Sequence, residues 1–369
     1  MKKRLLCIVS TPPPTGGASI MNQNTIEIFR KNGYEVVHID PKFAKDEADR
    51  EQPSIRKLAE LARVMIAILF YLSFHRIDKI YYGLSSNRFA FIKDFILLCV
   101  PLILRKAIII HLHLSNLTEF YGSSGPAVKW MFRFIVSRNT LFLVLSENLK
   151  EEFRDIIPTD KMMVVWNGIY PPQITVERSY DKEELVCLYL GILHKSKGFF
   201  RVVEAARHIK ERNIKFYIVG PPGPGFDENE TIEYLKRSGL EDKVYLLGPK
   251  YDRSKEETYA RSDIFIFPTS FQVEAFPLVL LEAMSFGLCI LTTSVGAISG
   301  IIKDGHNGFI LKSLDPAEIA RRISFFNENR EIVKEISINN MRTFKEKYSI
   351  EKYERRILEC LNHDVMMEA

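Results

Sequence analysis

Short apolar runs alternate with longer mixed stretches along the first half of the chain. The runs are rich in β-branched and aromatic residues and have the length of strands: RLLCIVS, YEVVHID, KIYYGL, AIIIHLHLS, LFLVLS and MMVVWNG. They do not alternate strictly between apolar and polar residues, which is typical of a parallel sheet that helices cover on both faces. The stretches between the runs, including a long one around residues 55–75, predict those helices.

The pattern breaks once and then restarts. Residues 167–184, NGIYPPQITVERSYDKEE, are polar and contain two prolines, which predicts a linker. Strand-like runs and helical stretches follow again from LVCLYLG to GFIL. The chain is therefore predicted to be an α/β protein with two Rossmann-like, doubly wound domains and a cleft between them. We expect an N-terminal domain at 1–170, a linker at 171–184 and a C-terminal domain at 185–345. A helical tail at 346–369 would pack back on the first domain.

Composition and charge narrow the class of protein. A chain of 369 residues has room for about two domains, and a formal charge of +5 is too mild to indicate nucleic acid. Five scattered cysteines without a CxxC pair give no zinc or disulfide pattern, so buried thiols in a reducing compartment are expected.

The apolar segments 64–74 and 95–104 fall short of the roughly 20 residues that span a bilayer. LLCIV is too short for a signal peptide. We expect a cytoplasmic protein.

The segment EAFPLVLLEAMSFG carries two carboxylates eight positions apart, Glu274 and Glu282. Pro277 suits the first turn of a helix and Gly287 the position just past its end, so a helix of roughly ten residues beginning at about Pro277 is predicted. Free amides at the N-terminus of this helix, with a carboxylate on either side, suit a nucleotide-sugar. The diphosphate would bind the amides, the sugar would bind one carboxylate and the ribose the other. The amides are those of Phe276, Leu278 and Val279. The alternative is an ordinary buried helix with two chance glutamates.

Loops after two strands of the second half provide further candidates. Lys197 precedes a helix, where a cation is unfavourable unless an anion binds there; the alternative is a solvated loop lysine. Gly191 and Gly220 end strands and would let a ligand approach the backbone closely.

In several motifs the chain resembles the retaining GT-B glycosyltransferases of the bacterial GT4 group (glycosyl transferases group 1). The motifs LYLGILHKSKG, VYLLGPKY, YARSDIFIFPTSFQVEAFPLVLLEAMSFG and VGAISGIIKDGHNGF occur in that family's order, and TPPPTGG, IIIHLHLS, LVLSENLKEEF and VVWNGI resemble its N-terminal landmarks. The resemblance implies that the domain at 1–170 binds the acceptor and the domain at 185–345 the nucleotide-sugar. It also implies that Glu274 contacts the donor sugar, that Glu282 contacts the ribose and that Lys197 neutralises the diphosphate. Two departures stand out: Ile192 replaces a usual arginine, for which His194 or Lys195 could compensate, and Ala275 replaces a common glycine.

The first half supplies the remaining candidates. TGGAS, with Gly17, resembles the family's loop beside the phosphates and the acceptor. His111 and His113 are expected to face opposite sides of a strand, and His113 corresponds to the family's cleft histidine. The candidate catalytic residues are thus Glu274, Lys197 and His113. The candidate donor-binding residues are Gly17, Gly191, Lys197, Gly220, Glu274, Phe276, Leu278, Val279 and Glu282.

The expected reaction is transfer from a nucleotide-sugar, most simply a UDP-sugar, to a glycan or lipid-linked glycan acceptor. The resemblance implies a hexosyltransferase of surface polysaccharide synthesis (lipopolysaccharide O-antigen, capsule or exopolysaccharide) that retains anomeric configuration by front-face displacement. The chain contains no Asp-x-Asp pair, so no metal and no cofactor are expected. Two alternatives stay open: another GT-B sugar-nucleotide enzyme such as an epimerase, or an inactive nucleotide-sugar-binding partner. A nicotinamide enzyme is disfavoured because no GxGxxG follows the first strand.

The helical stretch around residues 55–75 raises the question of a membrane. Leu58, Leu61, Met65, Ile68 and Leu72 form a stripe at helical spacing that is expected in the core. Val64, Ile66, Phe70, Tyr71 and Phe74 lie off that stripe, with basic residues around them. Surplus apolar surface plus positive charge predicts peripheral contact with the inner face of a membrane; the alternative is a wholly internal helix pair.

Overall fold

The computed structural model describes residues 2–43, 54–175, 178–180, 182–271 and 273–363. The chain forms two compact units, Met1–Asn167 with Glu351–Ala369, and Gly168–Ile350. The chain thus changes unit after Asn167, whereas the sequence placed the boundary after residue 170. The return to the first unit comes at Glu351, within the predicted tail.

Six parallel strands form the sheet of the first unit in the order β2-β1-β3-β4-β5-β6. They are β1 (Arg4–Ile8), β2 (Glu35–Ile39), β3 (Lys79–Gly83), β4 (Ala107–His111), β5 (Thr140–Val144) and β6 (Met162–Val164). The helices between them are α1 (Gly17–Lys31), α2 (Ile55–Phe74), α3 (Arg88–Ile103), α4 (Leu117–Ser123), α5 (Pro126–Val136) and α6 (Glu147–Phe153). All five residues of β5 are buried, as expected for a strand covered on both faces.

The second unit repeats this plan with the order β12-β11-β10-β7-β8-β9. Its strands are β7 (Leu185–Leu190), β8 (Ile214–Val219), β9 (Val244–Gly248), β10 (Ile264–Phe267), β11 (Cys289–Thr292) and β12 (Phe309–Ile310). Its helices are α7 (Phe199–His208), α8 (Glu228–Arg237), α9 (Asp252–Arg261), α10 (Leu278–Ser285), α11 (Ile298–Ile301), α12 (Pro316–Glu328) and α13 (Arg330–Thr343). The strand order reverses between β7 and β10. In open parallel sheets a ligand binds outside the carboxyl ends of strands at such a reversal.

The last helix, α14 (Ile350–Asn362), packs within the first unit. The Tyr353 hydroxyl lies 2.5 Å from Thr25 Oγ1 on α1, and both side chains are buried. Glu354 receives hydrogen bonds from Lys31 and Asn32 at the end of α1. Helix α14 therefore forms part of the core of this unit.

Helix α2 buries a different stripe from the predicted one. Val64 and Ile68, one helical turn apart, are fully buried, whereas Leu58 is 67% exposed. The prediction was wrong at Leu58 and Val64 because the inward face of α2 centres on the Val64–Ile68 pair. Within the described part of the chain, no helix has the length and apolar content needed to cross a membrane.

Candidate active site

Two loops meet at the carboxyl edge of the second sheet, where β7 and β10 are neighbours. The loop after β7 begins at Gly191 and contains Lys197; the loop after β10 runs on to Glu274. The Ser270 N–H donates to the Ser196 carbonyl at 2.7 Å, which joins the loops directly. The strand reversal thus brings together two side chains that lie 77 positions apart in sequence.

Lys197 and Glu274 form an ion pair through Nζ and Oε2. Their side chains are 19% and 12% exposed, so the pair is shielded but reachable. The ammonium also lies 4.2 Å from the centroid of the Phe271 ring, a cation–π contact. Burial, and then the nearby Glu274 carboxylate, raises the pKa of the Tyr189 hydroxyl far above its ordinary value. The site therefore pairs one positive and one negative group that an incoming ligand could separate.

The glycines at these loops are required by close backbone packing. Gly198 has φ +87°, and a Cβ there would lie 2.3 Å from the Pro268 carbonyl oxygen. Gly220 has φ +154°, and a Cβ there would lie 1.8 Å from the Gly191 carbonyl oxygen. Any side chain would force the loops apart. Gly191 and Gly220 therefore shape the edge at which the candidate ligand would bind.

Helix α10 follows the Glu274 loop and contains Glu282. The predicted helix of roughly ten residues is eight residues long, and Pro277 is its N-cap. The Leu280 N–H donates to the Pro277 carbonyl, so the earlier amides of Leu278 and Val279 lie at the open end of the helix. The helix ends at Ser285 with Phe286 as its C-cap, and Gly287 follows with φ +67°.

Glu282 is held by two side chains of the preceding helix, α9. Its Oε1 accepts a hydrogen bond from Lys255 Nζ at 2.7 Å, and its Oε2 accepts one from the Tyr259 hydroxyl at 2.9 Å. Burial, and then the Glu282 carboxylate, raises the pKa of Tyr259 well above its ordinary value, so the phenol stays protonated and donates. The carboxylate is fixed in place but keeps acceptor sites for further hydrogen bonds.

Sequence reasoning missed Lys255, Tyr259 and one further cation, Arg201. Arg201 lies in the first turn of α7, and its Nη1 is 3.3 Å from Ser270 Oγ and 3.4 Å from the Pro268 carbonyl oxygen. It therefore holds the Glu274 loop from the side of α7. The four-residue spacing of Lys255 and Tyr259 predicts that they share a helix face, but no local signal points them at Glu282.

The residues named as substitutes for the missing arginine differ in their surroundings. Ile192 is 38% exposed. His194 Nδ1 lies 2.7 Å from Ser196 Oγ and caps the short 3-10 turn that carries Lys197. Lys195, in the same turn, is exposed to solvent. His194 is thus engaged within its loop, and Lys195 is the more available cation.

The remaining candidates lie in the first unit. Gly17 is the first residue of α1, and Gly16 is its N-cap. The expectation that His111 and His113 face opposite sides was wrong: their ring centroids are 3.9 Å apart. Residues two apart in an extended chain point to the same face. His111 ends β4 and is fully buried, while His113 is partly exposed in the following loop.

Metal-ligating side chains are not clustered in the part of the chain that the structure describes. No group of three or more His, Cys, Asp or Glu residues there could hold a metal ion.

Comparison with known proteins agrees with this arrangement. Residues 173–343 match the family model described as glycosyl transferases group 1. An uncharacterized glycosyltransferase of Methanocaldococcus jannaschii is 28% identical over 54% of this chain and 54% of its own length. The N-acetyl-alpha-D-glucosaminyl L-malate synthase of Bacillus anthracis is 26% identical over 72% of this chain and 69% of its own length. The chain therefore spans about half the length of the Methanocaldococcus jannaschii protein.

A solved structure matches across nearly the whole chain. The Anabaena protein HepE in complex with UDP gives a TM-score of 0.71 at 18% identity, covering 98% of this chain and 99% of that one. The predicted resemblance to group 1 glycosyltransferases and the predicted GT-B fold are both confirmed.

Proposed function

Because residues 173–343 match the glycosyl transferases group 1 family, we propose that the chain is a retaining glycosyltransferase that takes its sugar from a nucleotide-sugar. The observation that carries the proposal is the convergence of Lys197, Glu274 and the N-terminus of α10 at the β7/β10 strand reversal. Cations and free amides at such an edge suit a diphosphate. The sugar-binding Glu274, the amides of α10 and the ribose-binding Glu282 then follow one another along one loop and helix, and Lys197 joins them from the loop after β7.

In the proposed complex, the diphosphate binds Lys197 and the N-terminal amides of α10. Glu274 then leaves its ion pair and accepts hydrogen bonds from the donor sugar. Glu282, already fixed by Lys255 and Tyr259, accepts the ribose hydroxyls. Ribose is common to all nucleoside diphosphates, so these groups leave the base undetermined. The Anabaena protein was solved with UDP, which supports a UDP-sugar as the donor.

The chemistry we propose needs no metal ion. The acceptor hydroxyl oxygen attacks the anomeric carbon on the face from which the diphosphate departs. The bond between that carbon and the phosphate oxygen breaks, and the oxygen takes the electron pair and then the acceptor proton. Configuration is thereby retained. Lys197 and the α10 amides stabilise the negative charge that develops on the departing phosphate, which is electrostatic stabilisation by preorganised donors.

We further propose that the first unit binds a lipid-linked glycan acceptor of a surface polysaccharide pathway at a membrane surface. Large apolar side chains are exposed on α2, α3 and α5, among them Phe74 at 74%, Phe89 at 81% and Trp130 at 59%. The exposed basic residues Arg88, Arg105 and Arg133 lie on or beside α3 and α5. An apolar surface with basic residues suits peripheral attachment to anionic lipid. Flotation with anionic liposomes at low salt tests this; protein that stays at the bottom would contradict it.

The proposed activity is tested by measuring release of nucleoside diphosphate from a panel of nucleotide-sugars, with and without a lipid-linked oligosaccharide. We expect release that depends on the acceptor, with a glycosylated product detected by mass spectrometry. A Glu274→Gln variant, which keeps the size of the side chain but removes its charge, should lose most turnover. Release without any glycosylated product would favour a different sugar-nucleotide reaction.

A further inference from the structure

Arg178 precedes the first strand of the second unit and binds the ends of two helices of that unit. Its Nη1 donates to the Ser262 carbonyl at 2.5 Å, and its Nε donates to the Phe286 carbonyl at 2.6 Å. Ser262 and Phe286 are the C-caps of α9 and α10. Carbonyl groups at the C-terminal end of a helix lack a partner within it and carry partial negative charge, so a guanidinium binds them well. One side chain thus fixes the ends of α9 and α10 against each other.

The Arg178 side chain is buried, with only 7% of it exposed, and most of its contacts are to the backbone. Its third nitrogen, Nη2, donates to the Tyr259 carbonyl in the last turn of α9 at 3.3 Å. The Asp263 carboxylate lies 3.8 Å from Nη1, but Lys182 is closer to that carboxylate, at 2.8 Å. Because the guanidinium is planar and rigid, its three nitrogen atoms hold the two helix ends in one fixed geometry.

The two helix ends lie beside the contact that holds Glu282. Tyr259 and Glu282 precede the C-caps of their helices by three and four residues, which is about 4.5 and 6 Å along the helix axes. The Tyr259 ring stacks on the Phe286 ring with centroids 5.3 Å apart and planes at 14°, and the Tyr259 hydroxyl donates to Glu282 Oε2 at 2.9 Å. A shift of α9 against α10 would therefore misplace this hydroxyl. Lys255, one turn earlier on α9, would move with it.

A second contact attaches the same segment of the chain to α9. Glu256 on α9 accepts hydrogen bonds from the backbone N–H groups of Gln173 at 3.1 Å and Ile174 at 3.3 Å. Glu256 is the neighbour of Lys255 in sequence, so these contacts lie within one residue of a side chain that binds Glu282. The segment that carries Arg178 is thus bound to α9 at two places, and it is structurally linked to the helix that holds Glu282.

We propose that Arg178 is a positioning residue for the ribose-binding carboxylate: by fixing the C-terminal ends of α9 and α10 against each other, it keeps Lys255 and Tyr259 in contact with Glu282. The binding of ribose at Glu282 rests on the proposed function; the contacts of Arg178 do not. Arg178 does not touch the nucleotide in this arrangement. The alternative is a purely stabilising role, which would lower Tm in a variant without changing how the protein distinguishes one ligand from another.

Discrimination between ligands with and without ribose hydroxyls separates the two roles. Isothermal titration of the full chain gives the ratio of the Kd for 2′,3′-dideoxy-UDP to the Kd for UDP, which we expect to be about 100-fold in the wild type for two hydrogen bonds to a carboxylate. Arg178→Lys keeps the buried charge but lacks the rigid fork that holds both helix ends. It should lower the ratio to about tenfold by weakening UDP alone. An unchanged ratio, or equal weakening of both ligands, would contradict the proposal.

Tyr180→Phe is the matched control, because Tyr180 lies in the same segment but bonds a different helix. Its hydroxyl donates to Ser337 Oγ on α13 at 2.6 Å. The variant should keep the wild-type ratio of the two Kd values even where its Tm falls. A ratio lowered as much as in Arg178→Lys would show that any disturbance of the segment has this effect, and the specific role of Arg178 would be refuted.

Hydrogen exchange of the wild type tests the same link without a variant that has to fold. Coupling between two sites is reciprocal, so a ribose bound at Glu282 should in turn stabilise the attachment of the segment to α9. Saturating UDP should therefore slow exchange of the Gln173 and Ile174 amides, which bond Glu256, and saturating 2′,3′-dideoxy-UDP should slow it less. Equal exchange rates with the two ligands would contradict the proposal.

The thermal stability of the variants distinguishes failure of this inference from failure of the proposed function. The losses of Tm in Arg178→Lys and Tyr259→Phe should not add in the double variant, because both changes weaken the same contact with Glu282. Additive losses would contradict the positioning role, whether or not a nucleotide binds. A wild type that does not bind UDP would refute the proposed function, and the Tm values would still decide whether Arg178 holds the contact between Tyr259 and Glu282.

Discussion

Removing the Glu282 carboxylate should affect both stability and nucleotide binding. In Glu282→Ala, the Tyr259 hydroxyl, which is fully buried, loses its carboxylate acceptor. A hydrogen bond to a charged group contributes about 1.5–3 kcal/mol, whereas the partly exposed contact with Lys255 contributes at most about 1 kcal/mol. A loss of about 2 kcal/mol in a unit the size of Gly168–Ile350 lowers Tm by roughly 4–8 °C.

In Glu282→Ala, the affinity for nucleotide should fall by more than the loss of stability explains. If Glu282 accepts two ribose hydroxyls, its loss costs about 3 kcal/mol, or roughly 100-fold in Kd. The matched control is Tyr259→Phe, which removes a protein hydrogen bond from Glu282 but keeps the carboxylate. Its Kd for UDP should change by less than about fivefold, the effect of one neutral hydrogen bond or less.

Isothermal titration of the folded variants with UDP and with the full donor separates the roles of the two acids. Glu282→Ala should weaken both ligands, because both contain ribose. Glu274→Ala should bind UDP as the wild type does but lose most turnover, because its partner is the donor sugar. Equal losses of UDP affinity in the two variants would refute the assignment of roles.

Three further predictions follow from the same structure. Activity should survive excess EDTA, because Lys197 and helix amides are proposed to stabilise the leaving group; complete loss that magnesium restores would contradict this. Gly220→Ala should destabilise the second unit by several kcal/mol or prevent its folding, because the new Cβ would collide with the Gly191 carbonyl; wild-type thermal stability would refute the packing argument. The first unit should lose stability as pH falls from about 6.5 towards 4, because unfolded histidines bind protons that neutral His111 and His113 do not; His113, with its pKa lowered to about 4, contributes up to about 1.4 kcal/mol per pH unit. A His111→Asn/His113→Asn variant should show a flatter dependence of Tm on pH, and an unchanged slope would contradict the assignment.

Local signals in the sequence were sufficient to predict helix α10, with Glu282 inside it and Glu274 in the loop before it. Pro277 and Gly287 mark the two ends of that helix because each residue type suits its position there. The alternation of strands and helices predicts a parallel sheet, whereas the strand order that makes β7 and β10 neighbours is seen only in the structure. Lys197 is a candidate because it precedes a helix, where a bound anion would offset its charge, and the roles of Lys197 and Glu274 follow from the family resemblance.

The contacts that the sequence did not predict depend on tertiary packing. Lys255 and Tyr259 hold Glu282 from another helix, and Arg201 reaches the Glu274 loop from α7. The spacing of residues along one helix shows which of them share a face, but not which other element that face contacts. The stripe of α2 was misplaced for the same reason, since several apolar faces were available and packing buried the one centred on Val64. The prediction for His111 and His113 was wrong because residues two apart in an extended chain point to the same face.

We propose above all that the second unit binds a nucleotide-sugar through Lys197, Glu274 and Glu282. The most direct test is the Tm of the full chain with UDP-glucose, UDP-galactose, UDP-N-acetylglucosamine, GDP-mannose and ADP-glucose, each at about 1 mM, the upper end of common KM values. A donor bound with a Kd about 100-fold lower than its concentration stabilises by about 2.7 kcal/mol, which raises Tm by roughly 5–10 °C. We expect such a rise for at least one UDP-sugar in the wild type and none in Glu274→Ala/Glu282→Ala. No rise with any nucleotide-sugar, or an equal rise in the double variant, would contradict the account.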